Sequence, residues 1–123
     1  MKVGPTLYHN PRCSKSRAAL ELLRGRGIEP RIVAYLDEAP TAAELRSLAA
    51  LPGMSARALV REGEAEYAQC GLGPDSSDEE LIGAMSRHPR LIERPVFMHA
   101  GRAVIGRPPE RVLELLDREA PIG

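Results

Sequence analysis

Residues 3–17 read Val3-Gly4-Pro5-Thr6-Leu7-Tyr8-His9-Asn10-Pro11-Arg12-Cys13-Ser14-Lys15-Ser16-Arg17, and their order decides the fold. Val3 to Tyr8 has the make-up of a short strand. Pro5 has no amide to give to a ladder, so the paired part is expected to start at Thr6. Asn10-Pro11 is a turn signal. From Ser14 to Arg26 the apolar residues Ala19, Leu20 and Leu23 share one helical face, and Gly25 and Gly27 end the helix. Arg31 to Tyr35 (RIVAY) then reads as a second strand. Strand, helix, strand is the βαβ unit of a parallel sheet.

The pattern changes further along. Thr41-x-x-Glu44 is a capping box that opens a helix running through Ala50, and Pro52-Gly53 breaks it. Ser55 is expected to cap a short helix holding Arg57, Leu59, Val60 and Arg61. Ser77-x-x-Glu80 is a second capping box, with Leu81, Ile82 and Met85 facing inward and His88-Pro89 as the stop. Residues 41–89 therefore read as almost wholly helical, with no strand signal. Pro95 to Met98 and Ala103 to Ile105 then form a hairpin through Ala100-Gly101. Pro108-Pro109 open a last helix carrying Val112, Leu113 and Leu116. The expectation is one α/β domain over residues 1–123, a βαβ–ββα four-stranded mixed sheet with a helical insertion at about 41–89.

Lysine plus arginine equals aspartate plus glutamate at 17 each. A balanced chain lacks the basic excess of a nucleic-acid binder. Only Lys2 and Lys15 are lysines, so the positive charge is mostly arginine, whose fork suits oxyanions. Two cysteines are too few for a disulfide scaffold. The N-terminus lacks the apolar run of a signal peptide, and no window reaches the roughly 18 apolar residues of a membrane span. A soluble cytoplasmic protein with reduced thiols is expected. No long apolar helix face is left over, so a monomer is expected.

Cys13 is the strongest chemical feature. It stands where the first helix begins, and free amides and the positive end of the helix dipole favour a thiolate there. Arg12, Lys15 and Arg17 crowd the same stretch and are expected to lower its pKa further. In Cys13-Ser14-Lys15-Ser16, Ser16 stands where a redox motif has its second cysteine. A serine can donate a hydrogen bond to the thiolate but cannot resolve a mixed disulfide, so an outside thiol or Cys70 must do so. Cys70 lies in the helical insertion and reads as structural or incidental. A phosphatase loop would need an arginine where Ala19 stands. Cys13, Cys70, His9, His88 and His99 are too scattered for a zinc site, and no metal or bound cofactor is expected.

The segment Tyr8 to Arg17 resembles the active-site segment of the glutaredoxin-linked arsenate reductase family, which is thioredoxin-like. The likeness continues through Glu29-Pro30, Tyr35-Leu36, Arg57 to Arg61, His88-Pro89, Leu91 to Pro95 and Gly106-Arg107-Pro108. It covers essentially the whole chain in order. Ser14-Lys15 and the end at Gly123 bring it nearer to a short branch of that family. The resemblance implies a Cys13 thiolate that attacks arsenate or a similar oxyanion, and Arg61, Arg94 and Arg107 to hold it. It implies glutathione as cosubstrate and glutaredoxin as the protein that resolves the glutathione mixed disulfide. It implies that His9 and Ser16 tune the thiolate and that Pro95 is the cis-proline opposite the cysteine. Taken singly, Arg61 and Arg107 read more readily as solvated surface charges; the family match raises all three arginines together.

Two other readings are weighed against this one. A glutathione-linked reductase on the same scaffold would act on a disulfide or another oxyanion. A redox-responsive regulator bound to RNA polymerase would carry a Cys-x-x-Cys switch, and Ser16 removes it here.

Overall fold

A computed structural model describes residues 4–117; Val3, the expected start of the first strand, lies outside them. The elements run β1 (Thr6–Tyr8), α1 (Ser14–Gly25), β2 (Arg31–Val33), α2 (Ala42–Ala49), α3 (Ala56–Leu59), α4 (Ala65–Gln69) and α5 (Asp78–Arg87). A 3-10 turn (Pro89–Leu91), β3 (Val96–His99), β4 (Arg102–Ile105), a second 3-10 turn (Pro109–Val112) and α6 (Leu113–Asp117) follow. The chain divides into two compact units: a sheet unit from the segments up to Ala34 and from Arg94 on, and a helical unit, Tyr35–Glu93.

The sheet unit holds a mixed four-stranded sheet in the order β2-β1-β3-β4. β1 pairs parallel to β2 (Leu7 opposite Ile32) and antiparallel to β3 (Leu7 opposite Phe97). This is the βαβ–ββα order read from the sequence. Leu7, Ala19, Leu23, Phe97, Val104, Val112 and Leu115 form the core, with Leu20, Ile28, Leu113 and Leu116 packed against it. Phe97 is the only phenylalanine in the chain, so aliphatic burial supplies most of the stability, at about 1.5–3 kcal/mol per large side chain. β3 and β4 join through Ala100 (φ 54°) and Gly101 (φ 76°), with His99 opposite Arg102. Two successive positive φ values make the type I′ turn whose twist matches a hairpin.

β2 stops at Val33 rather than Tyr35. Its partner strand gives out there: His9 N–H donates to Val33 O (2.9 Å) as the chain leaves β1 for the Cys13 turn. The chain after Pro108 differs too. Pro109 starts a 3-10 turn, and the α-helix begins only at Leu113.

In the helical unit both capping boxes form as read. The Thr41 hydroxyl accepts from Glu44 N–H (3.0 Å), and the Glu44 carboxylate accepts from Thr41 N–H (2.9 Å). Ser77 and Glu80 repeat the exchange at 3.1 and 2.7 Å. Leu45, Leu48, Leu59, Leu81, Ile82 and Met85 are buried. The stretch 41–89 is not free of strand structure. Ser55 caps α3, but that helix ends at Leu59 and Val60 turns extended (ψ 137°), forming an antiparallel bridge with Ile92. Arg61 N–H donates to Leu91 O, and Glu93 N–H donates to Leu59 O, both at 2.7 Å. A four-residue helix satisfies few of its own amides and carbonyls, and this pairing serves the backbone that follows it. Arg61 therefore sits on an extended segment, not in a helix. No residue of α4 is buried. Its surroundings are held instead by Arg57, whose guanidinium donates to the Tyr67 hydroxyl (2.8 Å) and to the carbonyls of Gly73, Pro74 and Ser76 (3.0, 3.3 and 3.4 Å).

Candidate active site

The turn before Cys13 is built by Asn10. Cys13 N–H donates to Asn10 O (3.0 Å), closing a turn over Asn10-Pro11-Arg12-Cys13. Arg12 N–H donates to Asn10 Oδ1 (3.0 Å), an Asx turn of the kind asparagine favours. Cys13 is then the N-cap of α1, extended at φ −94°, ψ 122°, and its carbonyl accepts the first helical bond from Arg17 N–H (3.0 Å). This geometry turns the amides of the first helical turn towards the half-buried Cys13 side chain.

The forces on the Cys13 sulfur oppose one another. Partial burial pushes its pKa up; the Ser16 amide, the Arg94 guanidinium and the Lys15 amide pull it down, and the net direction is downward. The cation that bears on the thiol is therefore Arg94, brought from the segment that leads into β3. The neighbouring side chains of Arg12, Lys15 and Arg17, expected to do this, are not its partners; Arg17 instead donates to Pro11 O (2.8 Å). Arg94 is remote in sequence, and it reaches the thiol because the pairing of β1 with β3 brings its segment alongside.

Ser16 and His9 take a different arrangement from direct contact with sulfur. Ser16 is fully buried. Its hydroxyl accepts from Asn10 N–H (3.0 Å) and lies 2.6 Å from His9 Nδ1. Burial first, then the charges of Arg24 and Arg17, lowers the pKa of His9. With the imidazole neutral, the Ser16 hydroxyl is assigned as donor to Nδ1. It is the Ser16 backbone amide that reaches the thiol, and the Ser16 side chain ties the turn to the first helix. Asn10 itself was not singled out as a functional residue; its place before a proline marked a turn but not a buried anchor.

The Arg94–Pro95 peptide is cis, and so is Arg107–Pro108. Arg107 Nη1 donates to Arg94 O (2.9 Å), so the sheet unit brings Cys13, Arg94 and Arg107 together. Arg94 Nε is buried and has no hydrogen-bond partner among the described residues. Such a donor costs about 1–3 kcal/mol when left unmet and calls for an acceptor. Arg61 belongs to the helical unit, where it faces Glu64 (3.6 Å) and Glu93 (3.7 Å). Its Nη1 has no hydrogen bond. Cys70, the C-cap of α4, is half-buried, and neither it nor Cys13 is in a disulfide. Among the described residues no three His, Cys, Asp or Glu side chains group as metal ligands, and no helix is long and apolar enough to cross a membrane.

The chain resembles known proteins over nearly its whole length. It is 51% identical over 112 residues to the uncharacterised protein YfgD of Escherichia coli, covering 89% of this chain and 94% of that one. It is 45% identical to an arsenate reductase of Rhizobium meliloti, over 90% of this chain and 80% of that one. The solved structure of an arsenate reductase from Vibrio cholerae superposes with a TM-score of 0.84 at 43% identity, covering 93% of this chain and 98% of that one. The fold is thus the thioredoxin-like one. The sequence model of the ArsC family matches residues 8–115, and the chain belongs to that family.

Proposed function

We propose that this protein reduces arsenate to arsenite, with Cys13 as nucleophile and glutathione and glutaredoxin as the electron donors. The observation that supports this most is Arg94, whose guanidinium bears on the Cys13 sulfur while its buried Nε–H still lacks an acceptor. An oxyanion placed there would be held by a fixed fork donor within reach of the thiolate. Arg107 steadies Arg94 through its carbonyl and adds positive charge. Arg61 is carried as the third guanidinium by the family resemblance alone; within its own unit it lies 3.6 Å from Glu64 and 3.7 Å from Glu93.

The chemistry proceeds in three steps. The thiolate bonds to arsenic(V), and one arsenate oxygen is protonated and leaves as water. A glutathione thiolate then attacks the Cys13 sulfur. The S–S bond forms, the S–As bond breaks, and its electron pair leaves with arsenic as arsenite. Glutaredoxin reduces the remaining mixed disulfide and frees Cys13. The downward shift of the Cys13 pKa serves the first step by raising the share of thiolate. A reducing cytoplasm suits the cycle.

The test is turnover of arsenate with glutathione and glutaredoxin. Activity is expected in the parent chain, lost in Cys13→Ser and kept in Cys70→Ser. Disulfide reduction without any arsenate turnover would transfer the site to the other glutathione-linked reading, and loss of activity in Cys70→Ser would break the single-thiol scheme.

A further inference from the structure

Thr6, His9, Asn10 and Ser16 are the buried polar residues among those described, and the last three frame the Cys13 turn. Asn10 makes more of that frame than either neighbour. It is 8% exposed and bonds at three points. Its N–H donates to the Ser16 hydroxyl, its carbonyl accepts from Cys13 N–H, and its Oδ1 accepts from Arg12 N–H, each at 3.0 Å. Two of these bonds use the backbone and would survive most substitutions. The third depends on a side-chain oxygen one carbon from Cβ.

We propose that Asn10 is a positioning residue for the Cys13 sulfur: by gripping the turn from both ends it sets the direction in which the Ser16 and Lys15 amides point. The N–H of Arg12 belongs to the Pro11–Arg12 peptide, so the Oδ1 bond fixes that plane, one peptide before the Arg12–Cys13 group that the Asn10 carbonyl holds. Without it the Pro11–Arg12 peptide can rotate, the turn is left to its single backbone bond, and the sulfur moves off the axis of the amides that favour its anion. Asparagine fits because an Asx turn mimics a backbone turn within one residue. Glutamine, one methylene longer, cannot close that ring. The role rests on Cys13 being the reactive thiol of the proposed cycle, but it does not depend on what the thiol attacks.

The test is the rate of alkylation of Cys13 by iodoacetamide against pH, in the full chain with Cys70→Ser so that one thiol reports. Asn10→Ala is expected to raise the midpoint by about one pH unit, or roughly 10-fold less thiolate below it. Asn10→Ser, whose hydroxyl can form the same turn more weakly, is expected to recover at least half of the shift. Asn10→Ala with a native circular dichroism spectrum and an unmoved midpoint would overturn the proposal. Should Asn10→Ala fail to fold, Asn10→Gln replaces it: a raised midpoint supports the role, and an unmoved one refutes it. Arsenate is absent from the assay, so an inactive parent chain would count against the proposed substrate and leave this result standing.

Discussion

Replacing Gly106 with alanine probes how the arginine pair is held. A Cβ built on Gly106 would lie 2.8 Å from Pro95 Cγ and 3.1 Å from Val112 Cγ1, well inside the usual carbon contact of about 3.5–4.0 Å. Neither neighbour yields easily. Pro95 Cγ is part of a ring, and Val112 is fully buried against the sheet core. Overpacking of this kind costs about 1–3 kcal/mol. The φ of Gly106 is not in the left-handed region, so alanine also removes unfolded-state freedom, which offsets about 0.4–1 kcal/mol. The net loss is roughly 1–2 kcal/mol, or about 4–8 °C in Tm for a chain of this size. The strain has a direct route to the site. Gly106 N–H donates to Pro95 O (2.8 Å), Pro95 follows Arg94, and Arg107 Nη1 donates to Arg94 O. The assay is thermal melting by circular dichroism together with the KM for arsenate. Gly106→Ala is expected to melt lower and to bind arsenate more weakly. A Tm within 1 °C of the parent, as an order-of-magnitude threshold, would show that Pro95 and Val112 move aside freely and would refute the packing argument.

Other outcomes follow from the same contacts. Arg94→Ala removes a charged donor from the sulfur and from the anion, so arsenate affinity should fall roughly 10- to 100-fold and Cys13 alkylation should need higher pH; Arg94→Lys, lacking the fork, should restore only part of it. The folded pKa of His9 lies below its ordinary 6.5, so the unfolded chain binds the extra proton first. Stability should therefore hold above pH 6.5 and fall as pH drops through the folded value, and His9→Gln should flatten that loss in melts taken across pH 4–7, roughly the range in which histidine titrates. Ser77→Ala removes the N-cap oxygen of α5 and should cost about 1 kcal/mol in urea unfolding.

The sequence made the frame of the molecule readable and hid some of its contacts. The two capping boxes, the Ala100-Gly101 turn and the βαβ start are local signals, and each stands in the structure because the residues that carry it lie within a few positions of one another. The Val60–Ile92 bridge was not legible. It joins segments far apart in sequence, and Val60 follows a helical run that masks its extended backbone. The same holds at the site. Cys13 announces itself by standing after a turn and before a helix. Its cationic partner could not be chosen by proximity, since Arg12 and Arg17 are nearer along the chain and only the pairing of β1 with β3 gives Arg94 the advantage. The sequence allows the Ser16 hydroxyl a bond to sulfur, whereas the buried hydroxyl is turned towards His9 and Asn10.

The grip of Arg57 on the segment around α4 bears on how that segment can evolve. Three of the oxygens it holds, those of Gly73, Pro74 and Ser76, belong to peptide groups, which every amino acid supplies. The identities of those residues can thus drift while the fastening remains, so long as the guanidinium persists. A lysine in its place would offer one ammonium point instead of a fork, and could not serve both the Tyr67 hydroxyl bonded by Nη1 and the carbonyls bonded by Nη2. Variation in this stretch across relatives should therefore be wide except at Arg57, with surface chemistry there free to diverge independently of the thiol centre.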